Sequence, residues 1–302
     1  MKIFLVGGFG FIGRRLIQNL SETHELIIFT KEHVNNSYNL NGFSSIITEK
    51  GNVEDVEIYK SIKSHNPDVV IHLAALSGLK KCQEDPLRAF TTNVFGTYNV
   101  AKACLETKSK LIFCSSREIY GETLNNESKE DDPPSPNNVY GITKLLGETI
   151  VKHMSQKGDF DYTILRLSNV YGPDNRNEGV NKIIKNAVNE KKIIINGGKQ
   201  LMNLVYVDDV VYFLTLILKN KESSRQIFNV GSLDNVTIQF FAEKVKSLIN
   251  ELTFEYLEQP EMETSYFKPS IEKSKRILGF YPKTNLIDGI KKTIDWYSKN
   301  KL

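Results

Sequence analysis

The chain has little cysteine, a single tryptophan, no long run of one charge sign and no long apolar segment. Its three cysteines, Cys82, Cys104 and Cys114, are odd in number and form no Cys-x-x-Cys pair. That excludes a disulfide framework and a zinc site as organising devices. No metal site is expected, and a reducing, cytoplasmic setting is. The longest apolar stretch, residues 210–218, falls short of the roughly 20 residues that span a bilayer, so no membrane partner is expected. The opening MKIFLVGGFG runs from an apolar segment into glycines and lacks the cleavage pattern of a leader. Lys and Arg total 39 against 36 Asp and Glu, and the resulting +3 is too small to indicate nucleic acid.

What remains is an ordinary globular composition, 40% apolar and 25% charged, in a length that allows one large domain or two packed ones. Short, continuously apolar runs recur at residues 3–6, 26–29, 69–73, 111–114 and 163–167. Runs without period-two alternation suit strands buried on both faces of a parallel sheet. Between them the spacing predicts helices over 11–20, 55–63, 86–106 and 139–156. In the third, Phe90, Val94, Tyr98 and Ala101 line one face. The alternation reads as a doubly wound α/β fold. Beyond residue 167 the rhythm loosens. Helices are predicted near 180–189, 208–219, 237–249 and 286–299, and short strands at 193–195, 204–207 and 227–230. The expected division is 1–170 and 171–302, with some later segments returning to the first sheet.

Gly7, Gly10 and Gly13 follow the first strand and open the first helix. A tight turn there lets backbone approach a pyrophosphate seated on a helix N-terminus. An acidic residue ending the second strand would bind the ribose of NAD, but Thr30 and Lys31 stand there. With Arg14 and Arg15 after the glycines, those cations lean the reading slightly from NAD towards NADP. The spacing Tyr-x-x-x-Lys sets a phenol and an ammonium on one helix face, where the lysine draws the tyrosine pKa down from about 10. It occurs four times, at Tyr59/Lys63, Tyr98/Lys102, Tyr140/Lys144 and Tyr297/Lys301. Only Tyr140/Lys144 opens a helix soon after a strand whose carboxyl end carries Ser115 and Ser116, the end where such sheets bind ligands.

VGGFGFIG (6–13), HLAAL (72–76), NVFGTYNV (93–100), SSREIYG (115–121), YGITKLLGE (140–148), LRLSNVYGP (165–173) and VYVDDVV (205–211) occur in that order. Together they resemble the extended short-chain dehydrogenase/reductases, and among them the NAD-dependent epimerase/dehydratase family acting on nucleotide sugars. The resemblance covers nearly the whole chain. It implies a Rossmann cofactor domain over 1–170, a substrate-binding region over 171–302, and a homodimer formed through helices 86–106 and 139–156. It also implies cofactor contacts from Gly7, Gly10, Phe11, Ile12, Gly13, Arg14, Thr30, Lys31, Asn52, Val53, Leu73, Ala74, Ala75, Ser115 and Leu167. Asn93 is expected to support the catalytic helix or touch the cofactor.

By the same resemblance, Ser116 binds the reacting sugar hydroxyl, Tyr140 takes its proton, and Lys144 holds the nicotinamide ribose and tunes Tyr140. Asn169, Arg176, Val180 and Met202 fall at substrate positions. Glu118 matches a carboxylate that dehydratases and decarboxylases keep, whereas Arg117 replaces an aspartic acid that some dehydratases use. Met202 stands where relatives commonly place an arginine for the nucleotide diphosphate. The leading expectation is C4 epimerisation of a nucleotide-diphosphate sugar through a transient 4-keto sugar. The alternatives are a 4-keto-sugar reductase, a 4,6-dehydratase using Glu118, and a non-catalytic dinucleotide-binding module.

Overall fold

A computed structural model describes residues 1–31, 46–123, 127–175, 179–258 and 264–300. The chain begins β1 (Lys2–Val6), α1 (Phe11–Leu20), β2 (Glu25–Thr30), β3 (Ile46–Lys50), α2 (Val56–His65) and β4 (Val69–His72). Next come α3 (Leu79–Glu84), α4 (Pro86–Phe90), a π-helical turn (Thr91–Phe95), α5 (Gly96–Thr107), β5 (Lys110–Ser116), β6 (Glu127–Ser128) and α6 (Val139–Gly158). There follow β7 (Tyr162–Leu167), β8 (Asn169–Tyr171), α7 (Val180–Glu190), β9 (Lys192–Asn196), β10 (Leu201–Tyr206) and α8 (Val207–Lys219). The remainder is β11 (Gln226–Val230), β12 (Asn235–Thr237), α9 (Ile238–Leu248), β13 (Thr253–Leu257), β14 (Lys268–Pro269), α10 (Glu272–Leu278) and α11 (Leu286–Lys299).

Seven parallel strands form the central sheet in the order β11-β7-β5-β4-β1-β2-β3. The apolar runs became its inner strands because both faces are covered. Leu16 and Ile17 of α1 and Phe213 and Leu214 of α8 pack beneath, and Ile58 of α2, Val100 of α5 and Val151 of α6 pack above. The strand order reverses between β1 and β4, and the crevice at their carboxyl ends is the place such sheets offer a ligand. β11 lies at one edge beside β7, so residues 226–230 return to the sheet from beyond residue 170. β3, at the other edge, was not anticipated. Its sequence IITEK is largely exposed and carries no apolar run.

Smaller sheets, β12-β10-β8 and β13-β9, combine with α7, α9 and α11 around a second core that includes Tyr171, Ile184, Phe241 and Tyr297. Asp209 joins the two regions: its carboxylate accepts the backbone N–H groups of Lys283 at 2.8 Å and Thr284 at 3.1 Å. No helix among the described residues is long and apolar enough to cross a membrane.

The helix expected over 86–106 is interrupted. Pro86 starts α4, the chain widens into the π turn at Thr91–Phe95, and α5 resumes the ordinary helix. The extra residue rotates the buried face. Ala89, Asn93, Thr97, Val100 and Cys104 point inward; of the expected stripe Phe90, Val94, Tyr98 and Ala101, Ala101 is buried and Tyr98 is 44% exposed.

Candidate active site

The glycine turn sits at the carboxyl end of β1. Gly7 has φ +83°, and a Cβ there would come within 2.8 Å of the Ala74 backbone, so the turn and the β4 loop approach as only glycine allows. A side chain at Gly13 would overlap the Gly8 carbonyl. Gly10 caps α1 without a side-chain hydrogen bond, and no acidic residue occupies the first turn. The N-terminal N–H groups of α1 are thus left for an anionic ligand. Gly7, Gly10, Phe11, Ile12 and Gly13 line a cavity of about 1150 Å³, together with Thr30, Lys31, Asn52, Val53, Leu73, Ala74 and Ala75. This cradle fits the diphosphate and adenosine of a dinucleotide.

Ser115 and Ser116 close β5 at the middle of the same cavity, and Tyr140, Lys144 and Leu167 line it there. Asn138 fixes the start of α6 by accepting the Gly141 N–H at 2.8 Å, a cap worth about 1 kcal/mol. That cap sets Tyr140 in the first turn and Lys144 one turn later. Lys144 is 4% exposed and donates to the Cys114 carbonyl at 2.8 Å, with its Nζ 5.8 Å from the Tyr140 ring centre. Burial pulls the Lys144 ammonium down to about 8. Burial first, and the Lys144 charge second, push nearby His72 down to about 3, so its imidazole stays neutral beside Thr97.

Ser116 Oγ accepts the Glu118 N–H at 3.2 Å, which leaves its own proton free to donate into the cavity. Arg117 and Glu118 also line the cavity; both are nearly buried and pair with each other at 2.8 Å. Behind them, Ser115 donates to Glu148 at 2.7 Å, and Arg166 grips both Glu148 oxygens at 3.1 and 2.9 Å. At the far end stand Asn169, Val180 and Met202.

Two expected cofactor residues do not reach the cavity wall. Arg14 turns away to Asp174, with Nε 2.7 Å from the carboxylate, and so ties α1 to the loop after β8. Asn93 accepts the Leu76 N–H and donates to the Leu76 carbonyl and to Thr143, so its amide braces the β4 loop against α6. Arg176 lies outside the described residues. Ser168 was not anticipated: it is 5% exposed, lines the cavity and has no protein partner for its hydroxyl among the described residues. Its neighbour Asn169 likewise has an unpartnered side-chain oxygen. The position of Ser168 at the carboxyl end of β7 was the available signal.

The sequence model of the NAD dependent epimerase/dehydratase family matches residues 3–231. The chain belongs to this family. The Homo sapiens dTDP-D-glucose 4,6-dehydratase is 30% identical over 318 residues, spanning 99% of this chain and 90% of that protein. A UDP-N-acetyl-alpha-D-glucosaminuronate decarboxylase from Bacillus cytotoxicus is 30% identical over 321 residues, 98% of this chain and 97% of its own. Among solved structures, the UDP-glucuronic acid 4-epimerase from Bacillus cereus, in complex with UDP-glucuronic acid and NAD, superposes with a TM-score of 0.92. That match covers 99% of each chain at 26% identity. The protein is therefore an enzyme of the nucleotide-sugar epimerase, dehydratase and decarboxylase group, and the non-catalytic reading falls away.

Proposed function

We propose that the protein is a C4 epimerase of a nucleotide-diphosphate sugar, working through a transient 4-keto sugar on a resident nicotinamide dinucleotide. The observation that carries this reading is the meeting of Ser116, Tyr140 and Lys144 on one cavity whose other end is the glycine turn. At about 1150 Å³ the cavity exceeds the ~300–1,000 Å³ usual for a single small ligand, as a cofactor and a sugar nucleotide together require. Residues 1–170 are read as chiefly cofactor-binding and 171–302 as chiefly substrate-binding, with β11 and α8 lent back to the sheet. The cofactor is read as NAD. With Arg14 spent on Asp174 and Arg15 off the cavity wall, the case for NADP narrows to Thr30 and Lys31.

The nicotinamide, when bound, supplies the hydride acceptor and donor for C4. Gly7, Gly10 and Gly13 hold its diphosphate through backbone and the α1 terminus. Tyr140 takes the proton of the C4 hydroxyl and later returns one. Ser116 donates its remaining proton to the sugar oxygen. The Lys144 ammonium stabilises phenolate on Tyr140. Ser168 and Asn169 offer unpartnered oxygens to the sugar nucleotide, and Arg117 and Met202 complete its wall.

Epimerisation is favoured over dehydration because both Glu118 oxygens are already engaged, one by Arg117 and one by Asn138. A tyrosine that moves the reacting proton contributes ~10²–10⁴-fold to rate. Tyr140→Phe should therefore lower kcat on every accepted sugar by about that factor while the thermal melting curve stays put. Unchanged turnover would remove Tyr140 from the chemistry.

A further inference from the structure

We propose that Arg117 determines the reaction's specificity: by holding Glu118 in a buried ion pair, it confines the enzyme to C4 and keeps the C5 proton of the 4-keto sugar in place. The inference rests on the C4-oxidation reading of this site.

Oxidation at C4 makes the hydrogens on the adjoining carbons acidic, because the electron pair left behind spreads onto the ketone oxygen. An enzyme that only inverts C4 must keep bases away from C5, since enolisation there scrambles that centre or expels a C6 substituent. Glu118 is the carboxylate two residues beyond Ser116 on the cavity wall, and it is 6% exposed. Its Oε1 lies 2.8 Å from an Arg117 nitrogen, and its Oε2 accepts the Asn138 amide at 2.9 Å.

Both donors are themselves held. Asn138 is fixed by its cap to Gly141, and the 5%-exposed Arg117 lies over the Phe267 ring with its Cζ 5.3 Å from the centre. The backbone of Glu118 is pinned as well: a Cβ at Gly141 would overlap its carbonyl, and its N–H is spent on Ser116. The guanidinium thus occupies the carboxylate that could otherwise act as base.

Removing the guanidinium frees that base. In Arg117→Met, a Glu118 oxygen takes the C5 proton and the C5–H electron pair forms the C4–C5 double bond, while the carbonyl π pair moves onto O4. Collapse of the enolate then draws a proton back from Glu118 to C5, and in D2O that proton has become a deuteron. The exchange involves no net redox change; the ketone itself arises by hydride transfer to the nicotinamide.

The test uses wild type, Arg117→Met and Arg117→Met/Glu118→Gln in D2O. Each receives UDP-glucose, UDP-galactose and, separately, UDP-4-keto-6-deoxyglucose, so that C5 exchange is read even in a variant that no longer oxidises C4. Product NMR reports deuterium at C5, and calorimetry reports UDP-glucose binding. The expected result is an isomerised product without C5 deuterium in wild type. Exchange at least about 100-fold faster is expected in Arg117→Met, as a freed general base supplies, with a return to background in the double variant. Wild-type exchange as fast as isomerisation overturns the proposal, as does an Arg117→Met protein that binds the ketone and does not exchange it. A wild type that neither binds nor isomerises these sugars instead overturns the C4 reading, and this inference with it.

Discussion

Lys144 carries two demands that pull in opposite directions with pH. Burial lowers its affinity for a proton to about 8 from the ordinary 10.5, so between those values the unfolded chain binds more protons than the folded one. From this group alone, fold stability therefore rises with pH across that window. The ammonium that supports Tyr140 is lost over the same range. The expected kcat/KM is level below pH 8 and falls about tenfold per unit above it, because that profile reports the free enzyme's groups. A profile flat to pH 10 would detach Lys144 from the chemistry. At this scale the sequence located residues whose place follows from a strand end or helix turn, and Ser116, Tyr140 and Lys144 line one cavity. It was silent where side-chain direction depends on a distant partner. Arg14, expected at the cofactor, pairs with Asp174, 160 positions away. Arg117 and Glu118 read as one departure beside the cleft, and the ion pair between their side chains needed coordinates.

Elements were legible in proportion to how much apolar surface they bury. β1, β2, β4, β5 and β7 announced themselves as continuous apolar runs, and α11 as a clear amphipathic stripe. β3 did not, because an edge strand with exposed side chains needs no apolar pattern. The π turn at Thr91–Phe95 was illegible for another reason: one inserted residue shifts a helical register without changing composition. It turns Asn93 inward, where the amide braces the β4 loop on α6. A second brace joins β7 to α6, where Arg166 and Glu148 form a two-point pair with 4% and 0% side-chain exposure. Arg166→Met leaves the Glu148 charge buried and unpaired, and its expected cost is about 3–5 kcal/mol in chemical unfolding. A loss under about 1 kcal/mol, the range of surface pairs, would mean water reaches Glu148.

At the scale of the whole molecule, some of the exposed apolar side chains lie on the segment 91–107 and on α6, which pack against each other. Phe95 is 63% exposed and Tyr98 44%, while Ile142 and Leu146 on α6 are each 38% exposed. We propose these side chains as part of the face of a homodimer, since exposed apolar surface favours association. Leu146→Glu with Phe95→Glu is expected to convert a dimer into a monomer in sedimentation velocity; a wild-type monomer would set the dimer aside. The broad architecture, a doubly wound sheet followed by a looser region, was visible in the spacing of segments. The reaction was not, because a dehydratase and a decarboxylase are equally similar in sequence and a 4-epimerase superposes over the whole chain. The most direct measurement is therefore the mass and NMR spectrum of the product after incubation of the NAD-loaded protein with UDP- and dTDP-hexoses. C4 epimerisation gives a new isomer of unchanged mass with no net consumption of the dinucleotide. A product lighter by one water, or stoichiometric oxidation of added NADPH, contradicts it.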